Sequence, residues 1–114
     1  MEQDKTVLLD IARSAHLVVD FVKDMGKARF LDDVKTQSAV MHQLMVMGEA
    51  VKRLSDEFVE AHTEIPWSLV ARMRDKLIHG YDVVDMEEVW RTAHSDVPDL
   101  LHLLERFLPA GPGK

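Results

Sequence analysis

Apolar residues recur at three- and four-residue steps along most of this chain, and no segment alternates cleanly with period two. Leu8, Ile11, Ala15, Val18, Val19, Val22 and Met25 make the first such run, the spacing of one helix face. It predicts a helix from about Lys5 to Met25, with Gly26 as a natural stop. Gly26 to Asp33 reads as a connector with room for a helical turn. Val34, Val40, Met41, Leu44, Met47, Val51, Leu54 and Phe58 predict a second helix from about Val34 to Ala61. Gly48 falls inside it, where glycine costs about 1 kcal/mol relative to alanine. A close approach by a neighbouring helix is the expected return. After a short loop from His62 to Ile65, Pro66 suits the first turn of a third helix, since its missing N–H does no harm there. That helix carries Trp67, Leu69, Val70, Met73, Leu77 and Ile78, and should fray near Gly80. Asp85 can cap a fourth helix bearing Met86, Val89 and Trp90. Pro98 either kinks that helix or begins a fifth, ending near Leu108. The expected fold is all-α, an antiparallel bundle of four to five helices. One domain over residues 1–108 and a loose tail over 109–114 complete the expectation.

Composition narrows the function. With 114 residues, 46% hydrophobic and 30% charged, the chain can bury one core and is not disordered. It has no cysteine, which removes disulfides, thiolate zinc sites and cysteine nucleophiles. The start, Met1-Glu2-Gln3-Asp4-Lys5, is acidic with no long apolar run after it, unlike a signal peptide. No stretch approaches the ~18 apolar residues of a membrane span. A cytoplasmic protein without a membrane partner is expected. The net charge of −6 argues against a long nucleic-acid track. Yet Arg72, Arg74 and Lys76 against Asp75 leave a local excess of cations before His79. An acidic body with a small basic patch fits a cleft that takes a few phosphates.

That patch contains Arg74-Asp75-Lys76-Leu77-Ile78-His79-Gly80-Tyr81, an R-x4-H-x-Y pattern. Arginine grips phosphate through two hydrogen bonds, histidine titrates near neutral pH, and the tyrosine hydroxyl can itself be modified. Together they suggest phosphodiester chemistry on RNA, with a built-in off switch. The spacing alone is common: Arg74 and His79 differ by about 140° around a helix. Arg74 and Tyr81, seven residues apart, lie on nearly the same face.

Several further stretches, in order, carry a family likeness. Met47-Gly48-Glu49-Ala50-Val51-Lys52-Arg53-Leu54-Ser55 looks like I-G-E-A-x-K-R-L-S, and Ile65-Pro66-Trp67 precedes the motif helix. Met73 to Tyr81 matches M-R-N-x-L-x-H-x-Y; Val89-Trp90 and Asp96-Val97-Pro98-Asp99-Leu100 match V-W and D-L-P-x-L downstream. Over most of its length the chain resembles the HepT family, within the HEPN superfamily of helical ribonucleases. Asp75 stands where asparagine is frequent, and Gly80 where a larger, often acidic residue is common. The resemblance implies a metal-independent endoribonuclease toxin with no cofactor. It implies a two-fold homodimer that faces two motifs across a groove, with Arg74 and His79 as the catalytic pair. It also implies a minimal nucleotidyltransferase (MNT) antitoxin that transfers AMP to Tyr81. Asp75 and Glu49 are candidate supporting residues, and Arg72 and Lys76 candidate phosphate contacts.

Other signals are blander. His16 and Asp20 share a helix face but read as a surface hydrogen bond, and no Glu-x-x-His of the di-iron bundles occurs. A glycine-rich phosphate loop is absent, so ATP would belong to the partner. Glu49 is either a buried carboxylate paired with an arginine or a solvated acid. Met41, Met45 and Met47 read as gap-fillers, and Trp67 and Trp90 as packing anchors rather than a base-stacking platform. Two alternatives stay open: a HEPN-type dimer that docks on a nucleotidyltransferase without cutting RNA, and a purely structural helical dimer.

Overall fold

The computed structural model describes residues 2–80 and 83–108, which are helical wherever they are regular; no strand occurs among them. Helix α1 spans Glu2–Phe21, α2 Lys27–Leu31, α3 Val34–Val51, α4 Asp56–Ala61, α5 Trp67–His79, α6 Met86–Arg91 and α7 Val97–Leu104. A π-helical turn, Thr92–Asp96, joins α6 to α7, and a 3-10 turn, Glu105–Phe107, follows. Four principal helices emerge: α1, α3, α5 and the α6–π–α7 run. The all-α bundle expected from periodicity is the fold observed. No helix among the described residues is long and apolar enough to cross a membrane.

The boundaries differ from expectation in instructive ways. Helix α1 stops at Phe21, short of Met25, and the left-handed residue is Asp24, at φ 59°. Aspartate tolerates that region because its short polar side chain bonds locally. Gly26 is extended and precedes α2 instead. The second expected helix is two, α3 and α4. Ser55 begins the new one by accepting a hydrogen bond from the Phe58 N–H at 3.1 Å, with Asp56 and Glu57 suited to the positive helix start. Asp33 caps α3 through the Thr36 N–H at 3.1 Å, and Asp85 caps α6 through the Glu87 N–H at 2.9 Å. Pro98 lies in the first turn of α7, so of the two expectations it is the start of a further helix that the structure shows. The proline lacks the N–H that would bond the carbonyl four residues back, and the backbone just before it widens into the π turn.

Helix α3 is central, packed on α1 along one side and on α5 along the other. Ile11, Ala15 and Val18 from α1, Val40, Leu44 and Met47 from α3, and Leu77 from α5 are all but fully buried. Val97, Leu100 and Leu104 close the core from α7. Gly48 marks where α3 and α5 touch. A Cβ added there would sit 2.1 Å from the Arg74 Cβ and 3.1 Å from the Val70 carbonyl oxygen. The close approach expected at this glycine is what the structure shows, and its neighbour is Arg74.

Candidate active site

Arg74 leaves α5 directly over Gly48, and its side chain is only 20% exposed. A residue with a Cβ at 48 would occupy the space of its stem. The guanidinium is gripped on both sides. Nη2 pairs with Glu49 Oε1 at 2.8 Å, and Nη1 donates to Asp75 Oδ1 at 3.1 Å. Lys52 Nζ donates to the same Asp75 oxygen at 3.2 Å. Hydrogen bonds from Arg74, then from Lys52, hold the Asp75 carboxyl below the usual carboxylate range. The carboxylates are half exposed, so each pair contributes little stability. Their effect is to orient the arginine fork before any ligand arrives.

Of the two readings of Glu49, the structure combines parts: the residue is exposed, and it pairs with an arginine. Lys52 was not singled out from sequence. Its signal lay in the stretch it shares with Gly48 and Glu49, one helical turn after Gly48. Lys76 turns away from Arg74 to Glu88 on α6, Nζ to Oε2 at 2.7 Å. Arg72 is exposed.

His79 is the last residue of α5; it is exposed and makes no hydrogen bond or ion pair among the described residues. The helix stays regular up to it, and Gly80 ends it with an N–H bonded to the Lys76 carbonyl at 2.8 Å. Arg74 and His79 therefore keep their angular offset, and nothing among the described residues joins them. An imidazole free at both nitrogens can take or give a proton. A forked cation beside it can bind a phosphate. Tyr81 lies outside the described residues. Among the described residues, no three histidine or acidic side chains gather into a group that would hold a metal ion.

Comparison with known proteins covers nearly the whole chain. The profile of the family described as ribonuclease HepT-like matches residues 11–107. A "probable ribonuclease HepT" of Thermococcus cleftensis is 43% identical over 103 residues, 90% of this chain and 94% of that one. A putative RNase of Methanocaldococcus jannaschii is 38% identical over 91% of this chain and 86% of its own length. Another, from Caldanaerobacter subterraneus, is 35% identical over 95% of this chain and 96% of its own. No solved structure matches.

Proposed function

The chain belongs to the ribonuclease HepT-like family, and we propose on that premise that it is a metal-independent endoribonuclease, the toxin of a toxin–antitoxin pair acting in the cytoplasm. The domain over residues 1–108 carries the activity. The observation that supports this most is the arginine held ready over Gly48 by Glu49 and Asp75, five residues before an unencumbered histidine.

The chemistry is attack by the ribose 2′-oxygen on the adjacent phosphorus, with departure of the 5′-oxygen. One base must take the 2′-hydroxyl proton and one acid must protonate the leaving oxygen. The products are a 2′,3′-cyclic phosphate and a 5′-hydroxyl. His79 brings an imidazole that can take or give a proton, a contribution of about 10²–10⁴ in rate. Arg74 stabilises the extra charge on the phosphorane-like transition state. One chain offers one His79, so a two-fold dimer supplies the second histidine and second arginine to a shared groove. Glu49 and Asp75 are positioning residues, and Arg72 is a phosphate contact. Lys76 serves in that role only if it leaves Glu88.

Regulation follows from the tyrosine of the motif. An MNT-type nucleotidyltransferase partner transfers AMP to the Tyr81 hydroxyl. The added phosphodiester brings bulk and negative charge to a cleft built for phosphate, and so excludes RNA. A second reading, a dimeric docking module without ribonuclease activity, is favoured by the two carboxylates that already occupy the Arg74 fork.

The test is cleavage of RNA in EDTA by protein whose intact mass shows Tyr81 unmodified. Arg74→Ala and His79→Ala should each lower the rate at least about 100-fold with melting temperature preserved, and wild-type products should end in 2′,3′-cyclic phosphate. Wild-type protein that leaves RNA intact would establish the docking reading instead.

A further inference from the structure

An open cleft of about 480 Å³ lies between α1 and α3. Leu17 and Val46 give it apolar surface, and Gln43 brings a carboxamide. Asp10 stands at its edge between two arginines, Arg13 Nη1 at 3.4 Å from Oδ1 and Arg53 Nη2 at 3.4 Å from Oδ2. The cleft also reaches Glu49, whose carboxylate holds Arg74. Val46 and Glu49 are three residues apart on α3, about 5–6 Å between Cβ atoms. The apolar floor thus lies one turn from the group that grips the catalytic arginine, a span of the order that separates a nucleotide's base from its phosphate.

We propose that this cleft is a base-recognition subsite for the nucleotide beside the scissile phosphate, and that it selects guanine. The proposal rests on the ribonuclease reading of Arg74 and His79. A carboxylate flanked by guanidinium groups presents two acceptors between donors. Each Asp10 oxygen keeps a lone pair after its long contact with arginine. Guanine presents the complement: N1–H and N2–H2 side by side for the carboxylate, and O6 and N7 for an arginine. Adenine sets its N1 lone pair against the carboxylate, cytosine its N3, and uracil offers one N–H between two carbonyls. Unpaired bases read in this way on their edges are how proteins usually achieve sequence specificity on RNA.

The experiment has two arms. In the first, short single-stranded RNAs differing at one position are cleaved by the wild type and by Asp10→Asn. The wild type should prefer guanine over adenine about 10- to 100-fold in kcat/KM, and Asp10→Asn should bring the ratio close to one. Equal cleavage at all four bases, or a preference that survives Asp10→Asn, overturns the proposal. In the second arm, 3′-GMP and 3′-AMP are titrated into labelled protein and followed by NMR. Shifts at Gln43 and Val46 with 3′-GMP, absent with 3′-AMP and lost in Asp10→Asn, support the subsite. Such binding without RNA cleavage would sink the ribonuclease reading, and with it the place of the cleft beside a scissile phosphate, while leaving the recognition of guanine by Asp10 standing. No 3′-GMP shifts at millimolar concentration overturns the subsite, whatever the RNA result. A change of oligomeric state in Asp10→Asn also overturns it, because the cleft would then be a contact between copies.

Discussion

Asp4 is among the few polar side chains buried in this molecule, and its carboxylate ties the first turn of α1 to the start of α4. It accepts from the Ser55 N–H at 2.9 Å and from the Ser55 hydroxyl at 2.8 Å. These two bonds, the backbone one first, hold its carboxyl below the ordinary value. An acid depressed in the folded state adds stability that is complete above its unfolded pKa of about 3.9 and is lost as the pH falls through the folded one. Asp4→Asn keeps one acceptor and loses the charge. Its melting temperature should lie below wild type between pH 5 and 8, with the gap narrowing as the pH falls below the unfolded value of about 3.9. A gap independent of pH would assign the loss to packing rather than to the ionised carboxylate. At this scale the sequence was unevenly informative. Arg74 and His79 stood out because their chemistry is specific and their neighbourhood repeats a family pattern. Asp4, Lys52 and Asp10 did not, since their partners are distant along the chain: Ser55, Asp75 and Arg53. Only folding reveals such pairs.

Helices were legible where one side faces the core for several turns, and less so where a second rule overrides periodicity. Leu54 and Phe58 continue the apolar rhythm of α3, yet the chain turns between them and α3, because Ser55 finds both a cap and Asp4. The π turn before Pro98 was hidden for a similar reason: the apolar spacing of Val97, Leu100 and Leu104 says nothing about the hydrogen bond that proline removes. Gly48 was the opposite case, a misfit to its helix that announced a contact. Its replacement makes a sharp element-level prediction. Gly48→Ala gains about 1 kcal/mol of helix propensity, and crowding in a packed core costs about 1–3 kcal/mol. Here the atom in the way is the Arg74 Cβ, at 2.1 Å, which cannot move unless α5 moves. With the crowding cost at the upper end of that range, a net destabilisation of about 1–2 kcal/mol is expected, lowering the melting temperature by at least about 4 °C. Because the shift falls on Arg74, RNA cleavage should drop at least tenfold at temperatures where the variant remains folded. A variant that melts higher than wild type would show that the two helices are not in hard contact.

The whole molecule carries a net charge of −6, and an acidic protein that cuts a polyanion has to concentrate its cations where the substrate reacts. In one chain it does so incompletely. Arg74 is partly neutralised by Glu49 and Asp75, Lys76 by Glu88, and His79 stands alone past the helix face that bears Arg74. Cleavage through a 2′-oxygen asks for both a base and an acid, and a single His79 is one of the two at any moment. Two copies related by a two-fold axis would double the histidine and double the arginine. The family pattern suggested this arrangement, whereas the geometry of a lone chain gives it a physical need. Mixing separates the possibilities. Arg74→Ala and His79→Ala chains, each expected to be inactive alone, are co-folded; if the chain is a dimer, random pairing makes about half of the dimers mixed. A groove shared by two chains then holds one intact arginine and one intact histidine, which restores the charge stabilisation and one of the two proton transfers, and cleavage should reappear above either parent but below wild type. A site complete within one chain has no intact copy in any of these dimers, and the mixture would stay as inactive as its components.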